Sequence, residues 1–532
     1  MKDKVSRETD SPGLRLLKKG RRGLWRAVFS RAGMITLFLL LQLGLLLALF
    51  RFLKDFIPHY YSFSLLFTGV MGLYLINSRR ESNAKLTWML VILLLPVFGG
   101  LLYLYTQSEL GHRILRDRYA AITRRTRDSL PQSLDTLVRL SEQAPEMEGL
   151  ARYVNRSGCF PVYDETAVRY FPLGDDLFPA LLEELEKAEK FIYLEFFIIE
   201  EGEMWGRVLE ILARKAAAGL DVRLLYDGTN EFFTLPRDYA RRLEKLGIRA
   251  KSFAPVMPFV STHYNYRDHR KILVIDGKTA FTGGVNLADE YINRKNRFGV
   301  WKDSAVMVKG KAVNSFTLMF LQMWNMKSTD PEYYNRYMFK GMEHDENASY
   351  GGYVVPYGDN PLDDEEVGKK VYLDILNRAN KYVHIMTPYL ILDEEMTNSL
   401  VFAAQRGIDV KIIMPHIPDK KYAYALARTH YAELIRGGVK IYEYLPGFVH
   451  AKNFVSDDEK AVVGTINLDF RSFFLHFECA AYIWGNPIVD DVEADFAETL
   501  KDCQRMTLKH CKELPLYMKV YGRALRLIAP LM

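Results

Sequence analysis

The chain carries one short pattern twice, and that repetition limits what it can fold into. The first copy is His269-Arg270-Lys271, four residues, then Asp276; the second is His450-Ala451-Lys452, four residues, then Asp457. Gly283 and Asn286 lie 14 and 17 residues after the first histidine, and Gly464 and Asn467 sit at the same offsets after the second. A single H-x-K-x4-D is a weak signal, because His and Lys two apart occur by chance in many strands. Two copies with matched Gly and Asn offsets are hard to reach by chance. One His, one Lys and one Asn from each copy form a set suited to holding a phosphodiester and cutting it.

The motif sits in a larger repeat. Pro172-Leu173-Gly174-Asp175 is echoed by Pro356-Tyr357-Gly358-Asp359. An acidic, leucine-rich amphipathic helix is expected after each, at 178–190 and 363–379, and then a β-rich run, at 191–199 and 382–392. Next come a helix and a Gly-x-Asp-Val strand, beginning at Gly219 and Gly407. A third helix ends in Gly247-Ile248 and in Gly438-Val439. Strands alternating with helices imply an α/β fold with mixed sheets flanked by helices. A duplicated unit implies two lobes related by a pseudo-twofold. The expected bounds are 151–340 and 341–532, with 107–150 as a connector. That symmetry would let histidines 181 residues apart share one site.

Local sequence places the motif on strands. Lys271 to Ile275 is apolar and β-branched, Asp276-Gly277 is a hairpin signal, and Ala280 to Gly284 is the return strand. Residues two apart on a strand share a face, so His269 and Lys271 project together and Arg270 points away. The second copy repeats this, with Ser456 to Glu459 as the turn.

Lys271 and Lys452 can neutralise a phosphodiester, and Asn286 and Asn467 can donate hydrogen bonds to its oxygens. Both effects grow as charge builds in the transition state. One imidazole can attack phosphorus while the other moves the proton, and an unperturbed pKa near 6.5 suits both tasks. The motif counts Asp276 and Asp457 with the catalytic His269, Lys271, His450 and Lys452. Each lies seven residues from its histidine, about 20 Å along a strand, which reads as a turn or ion-pair role. Glu195, Tyr389 and Arg471 are further candidates to line the site. His263, His384 and His476 read as packing or surface histidines.

Composition removes several classes. A chain that is 49% hydrophobic and 26% charged is globular. Its charge of +6 suits an anionic membrane surface, and no basic stripe with interleaved aromatics calls for nucleic acid. Cys159, Cys479, Cys503 and Cys511 are scattered, and read as free thiols. No metal and no cofactor is expected.

The first 106 residues differ. Residues 32–50 and 86–106 are uncharged, and 56–78 carries only His59 as an ionisable group. About 20 apolar residues span a bilayer core, so these three runs read as membrane segments making up 32–106. Residues 1–31 carry ten Lys and Arg, and 107–127 carry six Arg. Both favour the cytoplasmic side, yet three full spans would separate them. The reading is a multi-pass cell-membrane protein with its catalytic part on the cytoplasmic face, and 32–50 as the run whose crossing is unsettled.

These features resemble the phospholipase D superfamily, and within it the bacterial cardiolipin synthases. The resemblance rests on Asn265 to Lys271, Asp276-Gly277-Lys278, Gly283 to Tyr291, Trp301-Lys302-Asp303, Thr387-Pro388-Tyr389 and Asn467 to Ser472. It implies two phospholipase D-like lobes preceded by transmembrane helices, the two family spans matching 56–78 and 86–106. It also implies His269 as nucleophile, His450 as acid/base, and orienting carboxylates Asp303 for His269 and Glu478 for His450. The implied reaction joins two phosphatidylglycerols into cardiolipin and glycerol at a lipid bilayer. Thr465 stands where the family usually has Ser, and His476 where it usually has Asn. A membrane-anchored phospholipase D that mainly hydrolyses would keep every motif, and a non-enzymatic membrane scaffold is the alternative of another class.

Overall fold

A computed structural model describes residues 57–78, 82–96, 110–255, 266–326, 334–341 and 347–529, with a few isolated positions besides. The basic segment 1–31, nearly all of the run at 32–50, and His263 lie outside the described residues.

Seven strands of the first repeat are β1 Ala167–Phe171, β2 Phe191–Phe196, β3 Asp221–Asp227, β4 Arg249–Phe253, β5 Lys271–Ile275, β6 Thr279–Gly283 and β7 Ala305–Lys309. Their order in the sheet is β1-β7-β6-β5-β2-β3-β4. The second repeat supplies β8 Tyr353–Asp359, β9 Tyr382–Met386, β10 Asp409–Pro415, β11 Lys440–Tyr444, β12 Asn453–Ser456, β13 Lys460–Gly464, β14 His476–Trp484 and β15 Cys503–Arg505. Their order is β8-β14-β13-β12-β9-β10-β11-β15. Adding seven to each label of the first sheet gives the second, with β15 as an extra edge. Directions repeat as well: β2, β3 and β4 run parallel to one another, as do β9, β10 and β11, and the remaining pairs are antiparallel. The sheets are mixed, as the alternation of strands and helices requires.

The amphipathic helices before β2 and β9 span Gly174–Glu186 and Val367–Arg378. The first begins four residues earlier than its apolar periodicity indicates. Gly174 allows this start, because a Cβ there would lie 2.0 Å from the Tyr291 carbonyl oxygen.

Asp276 and Asp457 sit at the β5–β6 and β12–β13 turns with φ of 54° and 61°. Asp276 accepts hydrogen bonds from the backbone N–H groups of Glu189, Lys190 and Phe191, each 2.8 Å. Asp457 accepts from Asn380, Lys381 and Tyr382 at 2.9, 2.8 and 3.0 Å. Each carboxylate pins the entry of the neighbouring strand to the hairpin. Their place in a catalytic set is therefore corrected: both hold the sheet together. Asp457→Ala is expected to cost on the order of 3 kcal/mol of stability, since hydrogen bonds to charged groups are worth about 1.5–3 kcal/mol each and water replaces part of them. A fall in the unfolding midpoint, with turnover per folded molecule kept within about twofold, is the expected measurement.

One apolar core includes residues of both sheets, among them Val274 and Val306 with Val462 and Ala481. Arg270 points away from His269 and Lys271, as strand alternation requires. Its guanidinium donates to the carbonyls of Glu478 (3.1 Å) and Asp359 (3.3 Å), so it bridges the repeats from within the core.

These sheets form one compact unit, Leu115–Pro255 with Tyr266–Arg523. A second unit contains the helices Ile57–Ile76 and Ser82–Leu94. The two helices pack through Met71, Leu75, Trp88 and Ile92, with Tyr103 in the same cluster. Among the described residues no helix is long and apolar enough to cross a membrane. The helix Ser82–Leu94 has 13 residues, about 20 Å at 1.5 Å per residue. The helix Ile57–Ile76 has 20 residues but spends several on Tyr, Ser, Thr and Gly.

Candidate active site

Each H-x-K segment is a crossing point between two ladders. Before it, the chain pairs with the other repeat; after it, the chain enters its own sheet. Arg267 and Asp268 pair in parallel with His476 and Phe477, at the start of β14. Gly447 to Val449 pair in parallel with Val300 to Lys302. The next backbone bonds continue each register: His269 N–H donates to the Phe477 carbonyl (2.9 Å), and His450 N–H to the Lys302 carbonyl (2.7 Å).

Extending each register by one residue sets His269 beside Glu478 and His450 beside Asp303. The side chains meet there. His269 Nδ1 lies 2.9 Å from both Glu478 carboxylate oxygens, and His450 Nδ1 lies 2.6 Å from Asp303 Oδ2. The expected pairing, Asp303 with His269 and Glu478 with His450, is thus corrected. Each imidazole is oriented by the other repeat's carboxylate, because each lead-in strand docks on the other repeat.

Glycine makes room for one of these contacts. A Cβ at Gly284 would lie 1.9 Å from Asp303 Oδ1. Gly284→Ala is expected to push Asp303 off His450 and lower turnover about 100-fold, the usual penalty for misplacing a catalytic group by about 1 Å. Steady-state rates beside an unchanged unfolding midpoint check this.

Both histidines are buried, and both lysines fold back in the same way. Lys271 Nζ donates to the His269 carbonyl (2.5 Å), and Lys452 Nζ to the His450 carbonyl. Lys452 Nζ is also 2.8 Å from His450 Nδ1. Burial first, then the charges of Lys271 and Lys452, hold the His269 imidazole well below the usual range, and His450 is lowered by burial, Lys452 and Lys271. The expectation of unperturbed histidines is corrected: burial and the neighbouring lysines favour the neutral form of both rings. Each lysine thus contributes to the lowering of both rings. Burial also lowers Lys271 to about 7 and Lys452 to about 8, and raises Asp303 to about 6.

Asn286 donates to the Tyr291 hydroxyl (2.8 Å) and accepts from the Ile198 N–H (2.9 Å), which fixes its amide. Asn467 is buried, and its Oδ1 has no hydrogen-bond partner among the described residues. Tyr389 and Arg471 belong to the surrounding network. The Tyr389 hydroxyl lies between Asp419 (2.6 Å) and Lys420 (3.1 Å), and Arg471 Nε donates to His476 Nε2 (3.1 Å). Glu195 instead lies in the core, 3.9 Å from Arg270, and burial raises it to about 7.

His476 is not a packing residue. Its Nδ1 is 3.3 Å from Glu478 Oε1, so it links Arg471 to the carboxylate that orients His269. The signal lay in the sequence: His476 and Glu478 are two apart on one strand and share a face. Thr465 donates to Glu478 Oε2, so the hydroxyl replacing the family's usual serine is used. His384 does pack, stacked between Tyr382 and Phe496 with Nδ1 2.9 Å from Glu493.

Aromatic walls were missed. Phe197 meets the His269 ring edge-on at 4.9 Å, and Tyr291, Trp301 and Phe448 surround His450 at 5.4–5.7 Å. Nothing in their local sequence separates them from core aromatics. His269, His476 and Glu478 bring three ligand-type atoms within 4.8 Å of one another.

The family model described as "Cardiolipin synthase, PLD-like domain" matches residues 181–324 and 372–500, and a "Phospholipase D-nuclease N-terminal" model matches 67–106. Cardiolipin synthase 2 of Bacillus cereus is 32% identical over 87% of this chain and 90% of its own length. A cardiolipin synthase of a Geobacillus species is 33% identical over 85% and 90%. Phosphatidylserine synthase of Haemophilus influenzae shares the fold, with a TM-score of 0.54, 15% identity, and coverage of 73% of this chain and 98% of that one. With both phospholipase D-like segments matched and relatives aligned over nearly their full length, the chain belongs to the cardiolipin synthase family of the phospholipase D superfamily.

Proposed function

We propose that the chain transfers a phosphatidyl group from one phosphatidylglycerol to another, giving cardiolipin and glycerol through a phosphohistidine. The observation that carries this reading is the crossed pair of imidazoles, each with Nδ1 on a carboxylate and both under the field of Lys271 and Lys452.

With Nδ1 committed, Nε2 is the reactive atom of each ring. Neutral His269 attacks phosphorus, and the bond from phosphorus to the glycerol oxygen breaks. His450 supplies the proton that this oxygen needs. It must therefore be protonated once substrate is bound. The anionic phosphodiester provides the means, because it offsets the lysine charges that depress the ring. In the second step His450 takes the proton of an incoming phosphatidylglycerol hydroxyl, and that oxygen displaces His269. One phosphodiester is exchanged for another, so no nucleotide is needed. The site's mixed apolar and cationic walls fit a lipid phosphodiester. Lipid substrate is consistent with the N-terminal apolar runs, which support attachment at a bilayer, and the basic stretches flanking them favour a catalytic unit on the cytoplasmic side, with 32–50 then not crossing.

Incubation of purified protein with phosphatidylglycerol vesicles, followed by lipid mass spectrometry, tests the reaction. Cardiolipin and glycerol in equal amounts are expected. Phosphatidic acid as the main product would assign hydrolysis instead.

The shifted groups set a pH profile. Lys271 at about 7 and Lys452 at about 8 lose their charge as pH rises. Asp303, at about 6, loses its negative charge as pH falls. For the free enzyme, kcat/KM is expected to peak near neutrality and to fall on both sides. Bound phosphodiester raises the lysines, so the alkaline limb of kcat is expected about one unit or more higher. Coincident alkaline limbs for kcat and kcat/KM would remove the lysines from phosphate binding.

A further inference from the structure

The last described helix, Leu516–Ile528, reads LYMKVYGRALRLI, with three cations and no acid. Successive residues of a helix turn by about 100°. Leu516, Tyr517, Val520, Tyr521, Ala524 and Leu527 therefore fall within an arc of about 140°. All six are exposed, with Leu516, Tyr517 and Val520 at 76%, 72% and 60%. Leu525 and Gly522 lie on the opposite side and are buried. Gly522 seats the helix closely, since a Cβ there would lie 2.5 Å from the Ala425 carbonyl oxygen. Lys519, Arg523 and Arg526 line one edge of the apolar arc. The helix thus has a protein-facing side, a basic edge and an uncovered apolar face. Its final turn is tied to the N-terminal apolar helices: Thr87 Oγ1 donates to the Leu527 carbonyl (2.6 Å).

We infer that this helix lies in the interface of a bilayer containing anionic lipid, with Leu516, Tyr517, Val520, Tyr521 and Leu527 among the acyl chains and the basic edge at the phosphates. A stripe of large apolar side chains flanked by cations and lacking acids is what binds such a surface. Each cation near an anionic leaflet strengthens that attachment. A second copy of the chain is the poorer occupant, because two such edges brought together repel. The consequence is a second attachment, made by the catalytic unit itself, in addition to the N-terminal runs.

The test uses the full-length protein with Cys503 and Cys511 replaced by serine and Val520→Cys carrying an environment-sensitive fluorophore. The labelled protein is reconstituted into vesicles of phosphatidylcholine with and without phosphatidylglycerol. A quencher attached to lipid acyl chains is expected to reduce the emission at least threefold in the presence of phosphatidylglycerol, while aqueous iodide has little effect. Arg523→Gln is expected to weaken lipid quenching and make it more salt-sensitive. Iodide quenching with no lipid quenching would overturn the inference. So would a blue-shifted emission that ignores the lipid quencher and depends on protein concentration, which would assign the face to a second copy. This readout needs no turnover, so its failure and a failure of the proposed reaction are separate results.

Discussion

His269→Ala and His450→Ala are each expected to lower cardiolipin formation on the order of 10⁴-fold, about 5.5 kcal/mol of transition-state stabilisation. Neither ring has a substitute. His476 stands near His269, but its two nitrogens are occupied by Glu478 and Arg471. The two variants should differ in what they retain. Without His450 the nucleophile remains, so a phosphatidyl ester with an acidic leaving group, such as nitrophenol, needs no proton and should still transfer its phosphatidyl group to His269. A burst of nitrophenol equal to the enzyme present, followed by slow turnover, is expected for His450→Ala. Without His269 no burst is expected. A burst in His269→Ala and none in His450→Ala would exchange the two roles.

The carboxylates should follow the rings they touch. Asp303→Asn and Glu478→Gln keep shape and hydrogen bonding but remove the charge that fixes the tautomer and stabilises an imidazolium. A loss of 10²- to 10⁴-fold is expected for each, by analogy with the orienting carboxylate of a catalytic triad. The crossing makes the pattern specific. Asp303→Asn should resemble the loss of His450, although Asp303 lies 34 residues after His269 in the same repeat. Glu478→Gln should resemble the loss of His269, 209 residues away. Because ring and carboxylate act as a unit, Asp303→Asn combined with His450→Ala should be little worse than His450→Ala alone.

What the amino-acid sequence makes legible is mostly local. β-branched runs bounded by Asp-Gly or Ser-Asp-Asp located β5, β6, β12 and β13, since strand period and turn chemistry act over a few residues. Spacing between the repeats led to the equivalence of the two sheets, which the shared strand order now displays. Seven residues of strand separated Asp276 from His269, and that alone indicated a structural carboxylate. The crossed pairing was different in kind. It depends on Arg267–Asp268 and Gly447–Val449, ladders two and three residues long whose partners lie 209 and 147 residues away. No propensity or periodicity specifies such a register. The lowered histidine pKa values were hidden for a related reason: they arise from burial and from lysines that only the assembled repeats bring together. At the N-terminus the apolar runs were evident, because a stretch without charges needs no partner to be recognised.

The crossed architecture is tested most directly by mapping the covalent intermediate in the two carboxylate variants with the nitrophenyl lipid. The account predicts that Asp303→Asn accumulates a phosphohistidine at His269 and that Glu478→Gln accumulates none. Label at His269 in Glu478→Gln, together with its loss in Asp303→Asn, would contradict it.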